Sequence, residues 1–157
     1  MELTQWQHRF ERWLDENHTT DDAAHDISHF RRVWMTAQNI MANQMAEPLV
    51  VLTACYFHDI VSLPKNQPER HLSSRLAARQ AATILQELNF PRELLPAVSH
   101  AIEAHSFSAN IPATTLEAKL IQDADRMEAL GAIGLARVFY TSGRMQRAMF
   151  DPVDPLA

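Results

Sequence analysis

The stretch Thr53-Ala54-Cys55-Tyr56-Phe57-His58-Asp59-Ile60 decides how this chain is read. It belongs to an apolar run that begins at Leu49, and it ends in two adjacent side chains that bind metals or move protons. Burying a His and an Asp in such a run is costly unless something pairs with them. A divalent cation does so, because a neutral imidazole and a carboxylate are both common ligands. Neighbouring helical positions lie about 100° apart around the axis. Both side chains therefore reach one ion only near a helix end, and Ser62-Leu63-Pro64 supplies that end. Taken alone, the dipeptide also fits a core His hydrogen-bonded to its surroundings.

Working outward, 157 residues make one domain with room for a proper core. Apolar residues form 46% and charged residues 21%, as in soluble globular proteins. Only three glycines, set among many Ala, Leu, Gln and Glu, favour an all-α fold over a turn-rich β fold. The single Cys55 allows no internal disulfide and fits a reducing compartment. No apolar run approaches the ~20 residues of a membrane span, and the N-terminus is unlike a signal peptide, so the expected location is cytoplasmic. A net charge of −5 argues against general nucleic-acid binding but leaves room for a phosphorylated small molecule.

The periodicity predicts six to seven helices. Residues 4–17 place Trp6, Phe10, Trp13 and Leu14 on one face, with His8 and His18 read as solvated. Thr19-Thr20-Asp21-Asp22 caps a second helix from Ala23 to Ala46, which carries His25 and His29 at i and i+4. Glu47-Pro48 opens the third helix, which leads into His58-Asp59. The segment 62–70 reads as a loop from which Lys65 and Arg70 reach toward a substrate. A fourth helix from Ser73 or Ser74 to Leu88 buries Leu76, Ile84 and Leu88. Pro91 starts a fifth as its first helical residue, and His100 and His105 on it do not share a face. A sixth begins after Thr114-Thr115. Its Asp123 and Asp125 lie about 200° apart, so one faces the core and the other does not. Leu130-Gly131 marks a weak point before helix from Ile133 to Tyr140, and residues 150–157 form an irregular tail. Residues 1–149 are thus expected to form the domain.

His29, His58-Asp59 and Asp125 together give a pattern H…HD…D, one element per helix. His25-Asp26-Ile27-Ser28-His29-Phe30-Arg31-Arg32-Val33 resembles the HDxxHxxRV stretch of the HD-domain superfamily of metal-dependent phosphohydrolases, and Phe57-His58-Asp59-Ile60 its HD core. Ile102 to Phe107 and Asp123 to Ala129 resemble its later blocks, so the likeness spans residues 20–143. Within the superfamily, the chain is similar to small stand-alone bacterial hydrolases, some of which cleave nucleoside triphosphates to monophosphates and pyrophosphate. The HDxxED pattern of the guanosine-tetraphosphate hydrolases is missing, because Ile60-Val61-Ser62-Leu63 follows Asp59. Such relatives often continue in helical sequence after an Asp-Pro-x-Asp-Pro segment, and the stop at Ala157 suggests a truncated or shortened version.

The resemblance implies a divalent metal held by His29, His58, Asp59 and Asp125. Such an N₂O₂ donor set suits Mn²⁺, Co²⁺, Ni²⁺, Fe²⁺ or Zn²⁺, and Mg²⁺ stays among the candidates. A cation there acidifies a water and polarises phosphorus. His58 and Asp59 are then catalytic through the metal, and His105 is the candidate general base or acid. Arg32, Lys65, Arg126 and His100 are candidates for contact with the substrate; for Arg32 and Arg126 a structural ion pair is the competing role. The implied function is a phosphohydrolase acting on nucleotides or related phosphorylated small molecules, possible pyrophosphohydrolase activity included. The alternative is a module that senses nucleotide or metal without hydrolysis.

Overall fold

The computed structural model describes residues 1–18, 26–63, 67–148, 150 and 153–154. It is all-α. The helices are α1 (Leu3–Asn17), α2 (Ile27–Met41), α3 (Pro48–Phe57), α4 (Ser73–Glu87), α5 (Leu95–His105), α6 (Leu116–Met127) and α7 (Gly131–Arg144). Short 3₁₀ turns occupy Pro68–Leu72, Arg92–Leu94 and Phe107–Ala109, and no strand occurs among the described residues. None of these helices is long and apolar enough to cross a membrane.

The molecule is built around α3. Every residue from Val50 to Phe57 is buried, because a helix that is apolar on all faces must be surrounded. Its neighbours are α1, α2, α5 and α6. Pro48 at the first turn and the Glu47 side chain, which accepts from Leu49 N at 3.2 Å, begin it. Across it, α1 lays Trp6, Phe10 and Leu14. The ring of Phe10 meets that of Phe57 edge-on at 5.1 Å, and Trp6 meets Phe90 at 5.2 Å. The Asp26 carboxylate caps α2 by accepting from His29 N at 3.1 Å. The second His-Asp dipeptide thus owes its Asp to helix initiation; its His25, like the cap segment 19–22, lies outside the described residues.

Several boundaries differ from the sequence reading. α2 stops at Met41 rather than Ala46, turning through a Gln44 N to Met41 carbonyl bond of 2.8 Å; its expected start at Ala23 lies outside the described residues. Leu76 is 37% exposed, not buried. The buried stripe of α4 is Ser74, Ala77, Ala78, Ala81, Ile84 and Leu85, whose small residues allow close approach to α5. Leu88 is half-buried. Pro91 precedes a 3₁₀ turn, and α5 itself begins at Leu95. His18 is not solvated: it caps the end of α1 with its ring 6.2 Å from that of Phe30, and burial lowers its pKa. Its Nε2 is buried and finds no hydrogen-bond partner among the described residues.

Candidate metal centre

Three chain segments bring the cluster together. His29 sits in the first turn of α2, His58 and Asp59 follow the last turn of α3, and Asp125 lies in the last turn of α6. The backbone leaves regular helix after Phe57, so the two adjacent side chains converge as a straight helix would not allow. His29 Nε2 lies 3.2 Å from His58 Nε2, 3.5 Å from Asp125 Oδ1 and 4.0 Å from Asp59 Oδ2. His58 Nε2 is 3.7 Å from Asp59 Oδ2 and 3.6 Å from Asp125 Oδ1. His105, the last residue of α5, adds its Nε2 at 3.4 Å from Asp59 Oδ1.

The tautomers follow from the outer partners. His58 Nδ1 is 2.9 Å from the Cys55 carbonyl and His105 Nδ1 is 2.6 Å from the Ile102 carbonyl. A carbonyl can only accept, so each Nδ1 carries the hydrogen and each Nε2 turns toward the cluster. His29 turns Nδ1 to Glu128 Oε2 at 3.5 Å. Two imidazole lone pairs 3.2 Å apart repel unless a proton or a metal ion lies between them. Ligands at about 2.0–2.2 Å from an ion stand roughly 3 to 4.2 Å from one another, for right-angle to opposite placement. The five separations of 3.2–4.0 Å that join His29 and His58 to each other and to Asp59 and Asp125 fit that range. The donor set and its outer hydrogen bonds fit a divalent cation.

The electrostatics agree. Burial alone would depress His58, but the Asp59 and Asp125 carboxylates and the Cys55 carbonyl outweigh it and push its pKa up to about 9. Burial would likewise raise Asp125, yet the hydrogen bond and charge of His58 bring it down to about 2. His29 is lowered by burial, with Glu128 opposing, and so presents a neutral ring. Glu128 is pulled below its ordinary value by His29 and Arg32, against the penalty of burial. The pocket therefore carries a strong preference for a bound positive charge.

The cluster opens into a cleft of about 320 Å³, whose lining includes Asp59, His105, Asp125, Arg70, Arg126 and Arg137. The hydroxyls of Ser62, Ser73, Ser106 and Ser108 add to its polar wall. Asp125, Arg126 and Arg137 also border a neighbouring cleft of about 420 Å³ along α7.

Of the residues singled out in sequence, His29, His58 and Asp125 form one trio, His58, Asp59 and His105 a second that shares His58, and Arg126 lines the cleft. Arg32 turns to Glu128, donating from Nε at 2.8 Å, and does not line the cleft. His100 Nε2 accepts from Thr114 N at 3.1 Å and lies outside the cluster. Lys65 lies outside the described residues. Asp123 is exposed on the far side of α6 from Asp125. Two participants carried no assigned role in sequence. Glu128 was legible in principle, since i+3 from Asp125 puts it on the same helix face. Arg137, 3.5 Å from His29 Nδ1 through its Nη1, arrives on α7 with no local signal at all.

Comparison with known proteins places the fold in a family. Residues 26–130 match the model of the HD domain family. The chain is 29% identical over 143 residues to the Bacillus subtilis protein YpgQ, covering 88% of this chain and 67% of YpgQ. The structure of YpgQ in complex with ADP superposes with a TM-score of 0.65 at 28% identity, over 92% of this chain and 72% of that one. Lin1889 from Listeria innocua superposes with a TM-score of 0.72 at 26% identity, over 98% and 72% of the two chains. A predicted HD superfamily hydrolase from an uncultured Thermotogales bacterium gives 0.63 at 29% identity, over 89% and 81%. With the family model matched over two thirds of its length, the chain belongs to the HD domain family.

Proposed function

We propose that this protein is a metal-dependent phosphohydrolase that cleaves nucleoside triphosphates between the α and β phosphates, releasing pyrophosphate. The observation that carries it is the gathering of His29, His58 and Asp125, and of His58, Asp59 and His105, beside a cleft lined by Asp59, His105, Asp125 and three arginines. A divalent ion on those four ligands would neutralise phosphoryl charge and acidify a water. Arg70, Arg126 and Arg137 suit bidentate contact with phosphate oxygens, and the serine hydroxyls can donate to the same group. His105 keeps its Nδ1 hydrogen on the Ile102 carbonyl and turns its Nε2 into the cleft, 3.4 Å from Asp59 Oδ1. It takes the proton of the attacking water as the water oxygen bonds to phosphorus. The bridging P–O bond then breaks, and its electron pair leaves on pyrophosphate. The relative YpgQ has been crystallised with ADP, which supports a nucleotide as the substrate class.

The test is a hydrolysis screen on metal-stripped protein refilled with Mn²⁺, Co²⁺, Ni²⁺, Zn²⁺ or Mg²⁺. Nucleoside mono- and triphosphates are offered, and phosphate and pyrophosphate are counted separately. Pyrophosphate from triphosphates is expected, with metal retention and turnover both abolished by Asp59→Asn or His58→Ala. Full activity in either variant overturns the assignment. Nucleotide binding without product under any metal identifies a sensor instead.

A further inference from the structure

Among the described residues, two neighbouring clefts border Asp125, and they differ in character. The cleft of about 320 Å³ is walled by serine hydroxyls, Arg70, Asp59, His105 and Asp125, with Leu63 and Phe107 as its apolar groups. The cleft of about 420 Å³ has Ala129, Gly134, Val138 and Met145 among its lining, with Thr141, Ser142 and Arg147 as hydrogen-bonding groups of its own. Each is of the size that holds a small ligand or part of one, about 300 Å³ and upward. Asp125, Arg126 and Arg137 border both, so a molecule can run from one into the other past the cluster. Asp59 and His105 face only the first.

A nucleotide has the same division: a flat, weakly polar nucleoside joined to a strongly anionic phosphate chain. Placing the phosphates in the second cleft would meet Arg147 but leave the serines and Arg70 unused and set charge against Val138 and Met145. The opposite placement uses the serines and Arg70 for the phosphates and leaves Arg147 at the nucleoside end. We infer that the α7 cleft receives the nucleoside of the substrate, with Arg126 and Arg137 gripping the phosphates at the junction. This rests on the nucleotide reading above and extends it, because the α phosphate is the one next to the nucleoside. With the nucleoside along α7, that phosphate lies at the junction beside Asp125, and the β and γ phosphates extend toward Arg70. Specificity for the sugar and base then falls to Thr141 and Ser142, from the helix whose Arg137 reaches His29.

The inference is tested by equilibrium binding to the Mn²⁺-loaded protein, using ADP and inorganic pyrophosphate as ligands that differ by the nucleoside. The wild type is expected to bind ADP at least about tenfold more tightly than pyrophosphate, since only ADP fills both clefts. Ser142→Trp and Val138→Trp, which fill the α7 cleft from two positions, should erase that preference and leave pyrophosphate affinity within about twofold. Equal affinity of the wild type for the two ligands, or Trp variants that keep the preference, overturns the subsite and leaves the phosphohydrolase reading standing. Selective loss of ADP in Phe107→Ala, on the serine cleft, with the Trp variants unaffected, assigns the nucleoside to that cleft and also overturns it. Failure of the wild type to bind either ligand removes the nucleotide reading itself. Should both Trp variants unfold, the wild-type preference and the Phe107→Ala result decide between the two clefts.

Discussion

Glu128 is 7% exposed and holds three groups: His29 Nδ1 at 3.5 Å, Arg32 Nε at 2.8 Å and Arg137 Nη1 at 4.0 Å. It touches the imidazole on the nitrogen that faces away from Asp59 and Asp125, and so orients the ring without competing for the ion. Partners of this kind set the tautomer and basicity of a ligating histidine, and losing one costs about 10–100-fold in metal affinity. Glu128→Ala is accordingly expected to weaken Mn²⁺ by about that factor while the fold survives. Glu128→Gln, whose side-chain oxygen can still accept from His29, should recover part of it. Direct titration of Mn²⁺ measures this; unchanged affinity in the Ala variant would reduce Glu128 to an ion-pair partner of Arg32. The same residue explains why Arg32 is absent from the cleft: its guanidinium is already engaged.

α1 supplies nothing to the cluster, yet it braces the two helices that do. Glu11 accepts from Arg31 of α2 at 3.0 and 2.8 Å and from the Tyr56 hydroxyl of α3 at 2.6 Å. The Arg31 hydrogen bonds, against a burial penalty and with help from Tyr56, bring Glu11 down to about 2 from an ordinary 4.5. A carboxylate depressed in the folded state stabilises it fully above its unfolded pKa, and that contribution is lost as pH falls from 4.5 toward 2. Discounting for the half-exposed Arg31, the effect is about 1–2 kcal/mol. Urea unfolding of Glu11→Gln should therefore show a deficit of that order at pH 7 that shrinks as the pH approaches 2. A deficit that stays constant with pH would mean the helices are held by packing alone. α7 contrasts with α1. Gly134 is its one buried residue, because a Cβ there would overlap the Ala129 carbonyl, and Ile133, Leu135 and Phe139 stay exposed.

Over the whole molecule, the cluster ties α2, the end of α3 and α6 at one point, with α5 adjoining through His105. An ion that binds only the folded chain stabilises it by mass action, by about 2.7 kcal/mol at a hundredfold excess over its Kd. Addition of Mn²⁺ should raise the Tm, a chelator should reverse the rise, and Asp125→Asn should respond to neither. A Tm indifferent to metal in the wild type would show that the four ligands do not hold the ion as a set. Much of this architecture was legible beforehand. The all-round apolar character of residues 49–57 requires a central helix, the 3.6-residue stripes require helices around it, and the odd placement of His58-Asp59 requires a helix end. The outer details escaped because local pattern does not contain them. Leu76 faces water since small alanines let α5 approach another face of α4, and His18 is drawn onto Phe30 by a fold that brings α1 and α2 together. By itself, the sequence determined the helical class and the central helix, which depend on neighbours within a few positions, while the candidate ligands came from a resemblance between motifs spread along the chain. Only the tertiary structure decided which polar side chains meet: Glu128 and Arg137 at His29, and His105 rather than His100 at Asp59. Those contacts join residues up to 108 positions apart, and the relative placement of packed helices, which no local periodicity encodes, is what sets them.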